Sequence, residues 1–285
     1  MFPVSFYAYP AFIVIVAALA GLIVGSFLNV VIHRLPKMLE RQWRSECAEL
    51  AGTPTPPAER YDLVKPRSAC PKCGHMIPAI ENIPLASYFM LGGKCSQCRA
   101  PISLRYPVVE ALSGALAGYI AWRYGLSAAM LGALLFTWAM IALAFIDLDT
   151  FYLPDSITLP LLWAGLLFNA GGTFTDLHSA VLGAAAGYVA LWAVNWSYKL
   201  AMGREGFGHG DLKMFAAIGA WFGWKGCLIA IFVFALVGFV SGIIVASMYK
   251  KGRSTPKSLP TGGIWLVSAL TTMFFSDLWD SLLFG

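Results

Sequence analysis

Apolar runs close to twenty residues long recur along almost the whole chain. That is the length an α-helix needs to cross about 30 Å of hydrocarbon. Inside a bilayer the backbone must satisfy its own N–H and C=O groups, so only helices and closed barrels can span. Charge content agrees: 12 % of the residues are charged and 58 % hydrophobic, against about 25 % charged in ordinary soluble domains. The chain reads as an all-α polytopic membrane protein.

About eight transmembrane helices are expected, over residues 11–32, 107–122, 127–146, 156–170, 177–200, 212–222, 226–248 and 264–283. The first run lacks a basic n-region and an A-x-A cleavage site, so it is expected to be a true span rather than a signal peptide. The sixth run is short and is expected to be tilted or partly re-entrant. Small residues at 114–118 and 180–187 suit close helix packing.

Basic residues orient the chain. Eleven of the twenty Lys and Arg lie between His33 and Pro107, a stretch with no run able to span. By the positive-inside rule this polar loop faces the cytoplasm. Its basic residues are not densely clustered with interleaved aromatics, which argues against a nucleic-acid partner. The expected organisation is a first span (1–32), a cytoplasmic loop domain (33–106) and a helical core (107–285). Lys250, Lys251, Arg253 and Lys257 form the last inner loop, and loops expected outside carry mainly Arg123 and Lys225.

Four aspartates stand out: Asp147 and Asp149 at the end of the third span, Asp155 after Leu153-Pro154, and Asp211 in Gly208-His209-Gly210-Asp211. A carboxylate at the bilayer centre costs roughly 2.5–3.5 kcal/mol on insertion scales, so such groups face cavities, pair or do chemistry. Asp149 and Asp155 fit ordinary interfacial or capping roles. Asp211 alone could be a helix N-cap. Asp147 and Asp211 both fall at cytoplasmic ends of their spans and could meet there. Two adjoining carboxyls cannot both ionise easily. The ionised one can activate a water while the protonated one polarises a scissile carbonyl. The glycines at 203–210 would let an extended peptide approach.

Cys70-Pro71-Lys72-Cys73 and Cys95-Ser96-Gln97-Cys98 form two C-x-x-C pairs 21 residues apart. Paired knuckles of this kind indicate Zn²⁺, with Cys70, Cys73, Cys95 and Cys98 as ligands. Two disulfides are the rival reading, and a reducing cytoplasm argues against it. Four thiolates close the tetrahedron, so the metal would be structural. Cys47 and Cys227 read as apolar fillers. His33, His75, His178 and His209 are scattered and carry no local signature.

Taken in order, Asp147, Pro154-Asp155 and Gly208-His209-Gly210-Asp211 resemble the GxGD membrane aspartyl proteases, and more narrowly the bacterial type IV prepilin peptidases. The stretch from Gly25-Ser26-Phe27-Leu28-Asn29 to His33-Arg34-Leu35-Pro36 resembles that family's N-terminal signature. So do Glu81-Asn82-Ile83-Pro84 and Arg105-Tyr106-Pro107-Val108-Val109-Glu110. The resemblance implies that Asp147 and Asp211 are the catalytic pair. It also implies cleavage of the basic leader of prepilins and pseudopilins at the cytoplasmic face of the bacterial inner membrane. His209 stands where the family more often has an aromatic or aliphatic residue.

Long members with the four-cysteine loop are bifunctional, so the resemblance further implies N-methylation of the new N-terminal residue with S-adenosyl-L-methionine. Gly93 matches a position tied to methyl transfer, and Glu81 is the suggested group near the amine. No G-x-G-x-x-G fingerprint is present. Two other classes fit parts of the pattern. An ion-coupled transporter could use the aspartates as a relay, but internal repeats would be expected. A non-enzymatic assembly factor could dock through the zinc loop.

Overall fold

The computed structural model describes residues 10–53, 60–204, 206–250 and 261–275. The expected basic residues Lys251, Arg253 and Lys257, and residues 276–283 of the last expected span, lie outside the described residues. The described elements are α1 (Pro10–Leu50), a 3-10 turn (Ala79–Asn82), α2 (Ala86–Met90), α3 (Arg105–Tyr124), α4 (Ala128–Thr150), α5 (Asp155–Ala170), α6 (Leu177–Met202), α7 (His209–Lys250) and α8 (Gly262–Phe274). Among the described residues, extended pairing is limited to two isolated bridges, Ala69 with Met76 and Lys94 with Pro101. Each of the eight expected spans falls on a helix, the sixth and seventh being the two limbs of α7 on either side of the non-helical Gly223. Among the described residues four helices (α1, α4, α6 and α7) are long and apolar enough to cross a membrane, and α8 is a shorter apolar helix.

The chain divides into two units, residues 1–130 and 131–285. In the first unit α1 packs on α3 through small residues, as their spacing suggests. A Cβ on Gly114 would meet the Leu22 side chain at 2.6 Å, and one on Gly25 would meet the Glu110 backbone at 2.8 Å. Ser113 Oγ donates to the Gly21 carbonyl at 2.6 Å. Asn29 Nδ2 donates to the Tyr106 carbonyl at 3.2 Å, tying the two helices together beside Arg105 and Tyr106.

Helix α1 does not stop at residue 32. It runs through Pro36 to Leu50, a total of 41 residues, or about 60 Å, roughly twice the hydrocarbon thickness. Beyond His33 the sequence turns charged, and i,i+4 contacts replace lipid as support: Arg44 with Glu40 and Gln42 with Glu46. Pro36 lacks an N–H, so the ladder loses a bond there without the helix ending.

In the second unit α5 and α6 both pack on α7. Helix α7 bends at Gly223, whose φ of +71° is open to glycine and strained for other residues. The bend frees backbone carbonyls, and Asn169 collects them. Its Nδ2 donates to the carbonyls of Ala220 and Trp221, each at 2.8 Å. Its Oδ1 accepts from the amides of Phe174 and Thr175. Asn169 is 1 % exposed and uses its amide fully. Gly183 of α6 lies directly against the Gly219 and Gly223 backbone. Around the bend Trp221 packs between Phe136, Phe168 and Phe174.

Candidate active site and metal centre

Asp147 lies in the last turn of α4 and Asp211 in the first turn of α7. They are 4 % and 6 % exposed, so both carboxylates are inside the protein. Both reach the start of α8. The amide of Gly262 donates to Asp147 Oδ2 at 2.7 Å. The hydroxyl of the preceding residue, Thr261, donates to Asp211 Oδ1 at 2.6 Å. One turn further on, the Trp265 indole N–H donates to the same oxygen at 2.9 Å. Consecutive Cα atoms lie about 3.8 Å apart, so one dipeptide gathers two acids 64 positions apart in sequence.

Gly262 permits this approach. A Cβ there would sit 2.7 Å from the Asp147 Cβ and 3.2 Å from the Ala144 Cα. Asp147 in turn supplies a carboxyl oxygen as acceptor at the amide end of α8, where the first N–H groups lack helical partners.

Asp211 differs in detail from a helix N-cap. Helix α7 opens at His209, which makes Gly208 the cap residue. Asp211 Oδ2 reaches back to the Gly208 amide at 3.1 Å, the returning half of a capping box. The glycine loop before it is fastened by Asn195 of α6, whose Oδ1 accepts from the amides of Gly206 and Phe207, both at 2.9 Å. Gly210 lies against Leu153, where a Cβ would come within 2.8 Å, so the Leu153-Pro154-Asp155 turn rests on the glycine-aspartate motif. Asp155 forms a two-pronged pair with Lys213 Nζ at 2.7 and 2.6 Å, which gives it a partner beyond ordinary capping. Asp149 and His209 are exposed.

The four cysteines of the first unit converge. Cys70, Cys73, Cys95 and Cys98 have their sulfurs within 4.8 Å of one another. Cys70 and Cys98 sulfurs are 3.8 Å apart, and those of Cys73 and Cys95 are 3.9 Å apart. A disulfide needs about 2.0 Å, and all six cysteines are unbridged. Four sulfurs around Zn²⁺ at about 2.3 Å would be separated by about 3.8 Å. The donor set and spacing therefore suit a metal ion.

The knuckles repeat one backbone pattern. The Cys70 amide donates to the His75 carbonyl, and the Cys95 amide to the Ala100 carbonyl. The residue four after each first cysteine is left-handed: Gly74 in one knuckle, Arg99 in the other. The amides of Cys73 and Lys72 point at the Cys70 sulfur and lower that thiol to about 6. At Cys73 the His75 amide also favours the thiolate, but desolvation and the neighbouring thiols outweigh it and hold the group up at about 11.

Glu81 comes to the same cluster. Its carboxylate accepts from Ser96 Oγ at 3.1 Å, inside the second knuckle. His75 Nε2 lies 3.4 Å away, a charge contact when His75 is protonated. Gly93 opens the hairpin that carries the second knuckle, with φ of +67° and the Tyr88 hydroxyl 2.9 Å from where a Cβ would be. Glu110 is buried and accepts the amide of Leu85, a left-handed non-glycine residue, at 2.9 Å. It thereby pins the turn after Glu81-Asn82-Ile83-Pro84.

Sequence reasoning brought out both acids and all four cysteines. It passed over Asn195, Thr261, Gly262 and Trp265, because an Asn or Trp inside an apolar helix, and a Thr-Gly at a helix start, carry no local mark that sets them apart from structural residues.

Comparison with known proteins identifies the family. Residues 19–124 match the family model of the bacterial peptidase A24 N-terminal domain. Residues 134–246 match that of the type IV leader peptidase family. The chain is 45 % identical to a prepilin leader peptidase/N-methyltransferase of Pseudomonas aeruginosa, covering 95 % of this chain and 93 % of the relative. It is 46 % identical to one of Stutzerimonas stutzeri, over 97 % of this chain and 96 % of the relative. It is 51 % identical to one of Neisseria gonorrhoeae, over 85 % of each. No solved structure matches. None of these relatives supports the ion-coupled transporter reading. The chain is a membrane protein of the type IV leader peptidase family, with a bacterial peptidase A24 N-terminal domain.

Proposed function

We propose that this protein removes the leader peptide of prepilins and pseudopilins and then methylates the newly exposed N-terminal residue. The observation that carries the peptidase half is the meeting of Asp147 and Asp211 at Thr261-Gly262. Two carboxyls buried together share a proton. One acts as general base on a water, and the other polarises the scissile carbonyl and later protonates the leaving amine. The glycine loop at 206–210 offers backbone for an extended substrate strand to lie against. Separate Asp147→Asn and Asp211→Asn variants should each lose cleavage of a full-length prepilin by about 10³-fold or more. Full cleavage by either would remove the dyad.

The methyltransferase half is supported by the names of the relatives and by the geometry around the cysteines. S-adenosyl-L-methionine is the donor in this reading, and Zn²⁺ is held by Cys70, Cys73, Cys95 and Cys98. The metal, when bound, stabilises the knuckles and takes no part in the chemistry, since four thiolates leave no open position. Glu81 lies at the edge of that cluster and is assigned to the substrate amine. Gly93 is assigned to the donor side. Methyl transfer from labelled donor to a cleaved pilin, measured for Glu81→Gln beside the zinc content of the same sample, tests the pairing. Methylation unchanged at full zinc content would remove Glu81 from the site.

We place the protein in the bacterial inner membrane with the four-cysteine region in the cytoplasm, on the strength of the basic residues between 33 and 107. The substrates are membrane-anchored pilins and pseudopilins met within the lipid bilayer.

A further inference from the structure

We propose that Thr261 and Trp265 are positioning residues of the peptidase, holding Asp211 in the orientation from which it reacts. The proposal rests on the two-aspartate reading above. Thr261 stands at the N-cap of α8, where a threonine hydroxyl ordinarily accepts from an amide of the first turn. Here it makes no capping bond and instead donates to Asp211 across 50 positions of sequence. The amide left over at Gly262 goes to Asp147. The start of α8 has thus exchanged its own cap for contacts with both acids.

Trp265 is fully buried. Its ring stacks on Phe234 with centroids 4.1 Å apart and lies against Phe215 at 5.3 Å. Held between two aromatics of α7, the indole N–H has one direction available, and Asp211 Oδ1 lies in it at 2.9 Å. Thr261 and Trp265 are four residues apart and share a helix face. The Trp265 amide bonds the Thr261 carbonyl at 2.9 Å, which fixes their separation.

Two donors therefore occupy Oδ1, and the Gly208 amide takes one lone pair of Oδ2 at 3.1 Å. The carboxylate cannot rotate without breaking three hydrogen bonds at a buried site. The free lone pair of Oδ2 remains for a water or a shared proton. Positioning of this kind acts on turnover rather than on substrate affinity, because neither side chain needs to touch the peptide.

The test compares Thr261→Val, Thr261→Ser, Trp265→Phe and Ser268→Ala in the full-length protein in detergent, with a full-length prepilin as substrate. Ser268 is buried on α8 and its hydroxyl donates to the Ile264 carbonyl within the same helix, so it reports on helix packing. Melting curves show which variants are folded. Thr261→Val and Trp265→Phe should each lower kcat about 10- to 100-fold, the worth of a hydrogen bond to a charged group, with KM within about twofold. Thr261→Ser should return most of the turnover, and Ser268→Ala should cleave normally.

Unchanged kcat in folded Thr261→Val and Trp265→Phe overturns the proposal. So does a loss in KM alone, a Thr261→Ser no better than Thr261→Val, or an equal loss in Ser268→Ala. Asp147→Asn and Asp211→Asn run alongside. If those two still cleave, the dyad reading itself fails. If they are dead while the Thr261 and Trp265 variants turn over normally, only the positioning role fails.

Discussion

Gly262 is the residue on which the convergence of the two acids depends most narrowly. A methyl group there would lie 2.7 Å from the Asp147 Cβ, and α8 would have to move. Gly262→Ala is expected to cost about 1–3 kcal/mol, the usual cost of overpacking, and to abolish prepilin cleavage. A melting curve and a cleavage assay on the same preparation check both parts. Gly93 poses a different question, because its left-handed φ and the Tyr88 hydroxyl penalise any side chain regardless of function. Gly93→Ala should therefore loosen the knuckle, seen as faster zinc release to a chelator. Lost methylation with zinc retained would instead place Gly93 at the donor site. The aspartates were legible because charge in an apolar run is expensive. Thr261, Gly262 and Trp265 were not, since a threonine and a glycine before an apolar run look like an ordinary helix start.

Helices succeed or fail here by where their broken hydrogen bonds go. The bend in α7 leaves carbonyls that Asn169 satisfies at 2.8 Å. Asn169→Ala is expected to destabilise the protein by about 2–4 kcal/mol, since buried carbonyls without partners carry a full desolvation penalty. Thermal unfolding in detergent measures this. Asn195 plays the matching part for the glycine loop. With Asn195→Ala the amides of Gly206 and Phe207 lose their acceptor. Limited proteolysis should then cut faster between residues 203 and 208, and cleavage of prepilin should fall while α6 and α7 stay folded. The sequence pattern located both limbs of α7 and read them as separate spans, and the non-helical Gly223 divides them where the expected runs part. A glycine between apolar runs allows the backbone to turn, and at Gly223 it does. Helix α1 outruns its apolar span. Its apolar half ends near residue 32, but i,i+4 pairs carry the helix on to Leu50.

On the scale of the molecule the residues proposed for the two chemistries fall in two different units of the chain. The cysteines, Glu81 and Gly93 belong to residues 1–130, and the acids with their α8 donors belong to residues 131–285. Metal removal should act on the first unit directly. Metal ligands bind as thiolates, so acidification should release zinc. Cys70, lowered to about 6 by the amides of Cys73 and Lys72, favours the thiolate above that pH and loses this preference as pH falls through it. Zinc release followed by a colorimetric chelator across the acid range, with proteolysis of residues 60–104 as the structural readout, checks this. Retention of the metal at a pH where the thiols are all protonated would contradict a thiolate site.

Several properties were set by the sequence alone: membrane residence, the approximate places of the helices, the two acids and the four cysteines. Each depends on a local cost, whether a charge in an apolar run, a C-x-x-C spacing or a run long enough to span, and local costs can be read along a chain. Tertiary structure decided which groups meet. It brought Asp147 and Asp211 to one dipeptide, turned a threonine away from capping its own helix, aimed an indole at a carboxylate and closed Asn169 over a bend. Those outcomes depend on backbones passing within a few ångströms of each other and on every buried donor finding an acceptor, conditions that hold only once the helices have packed.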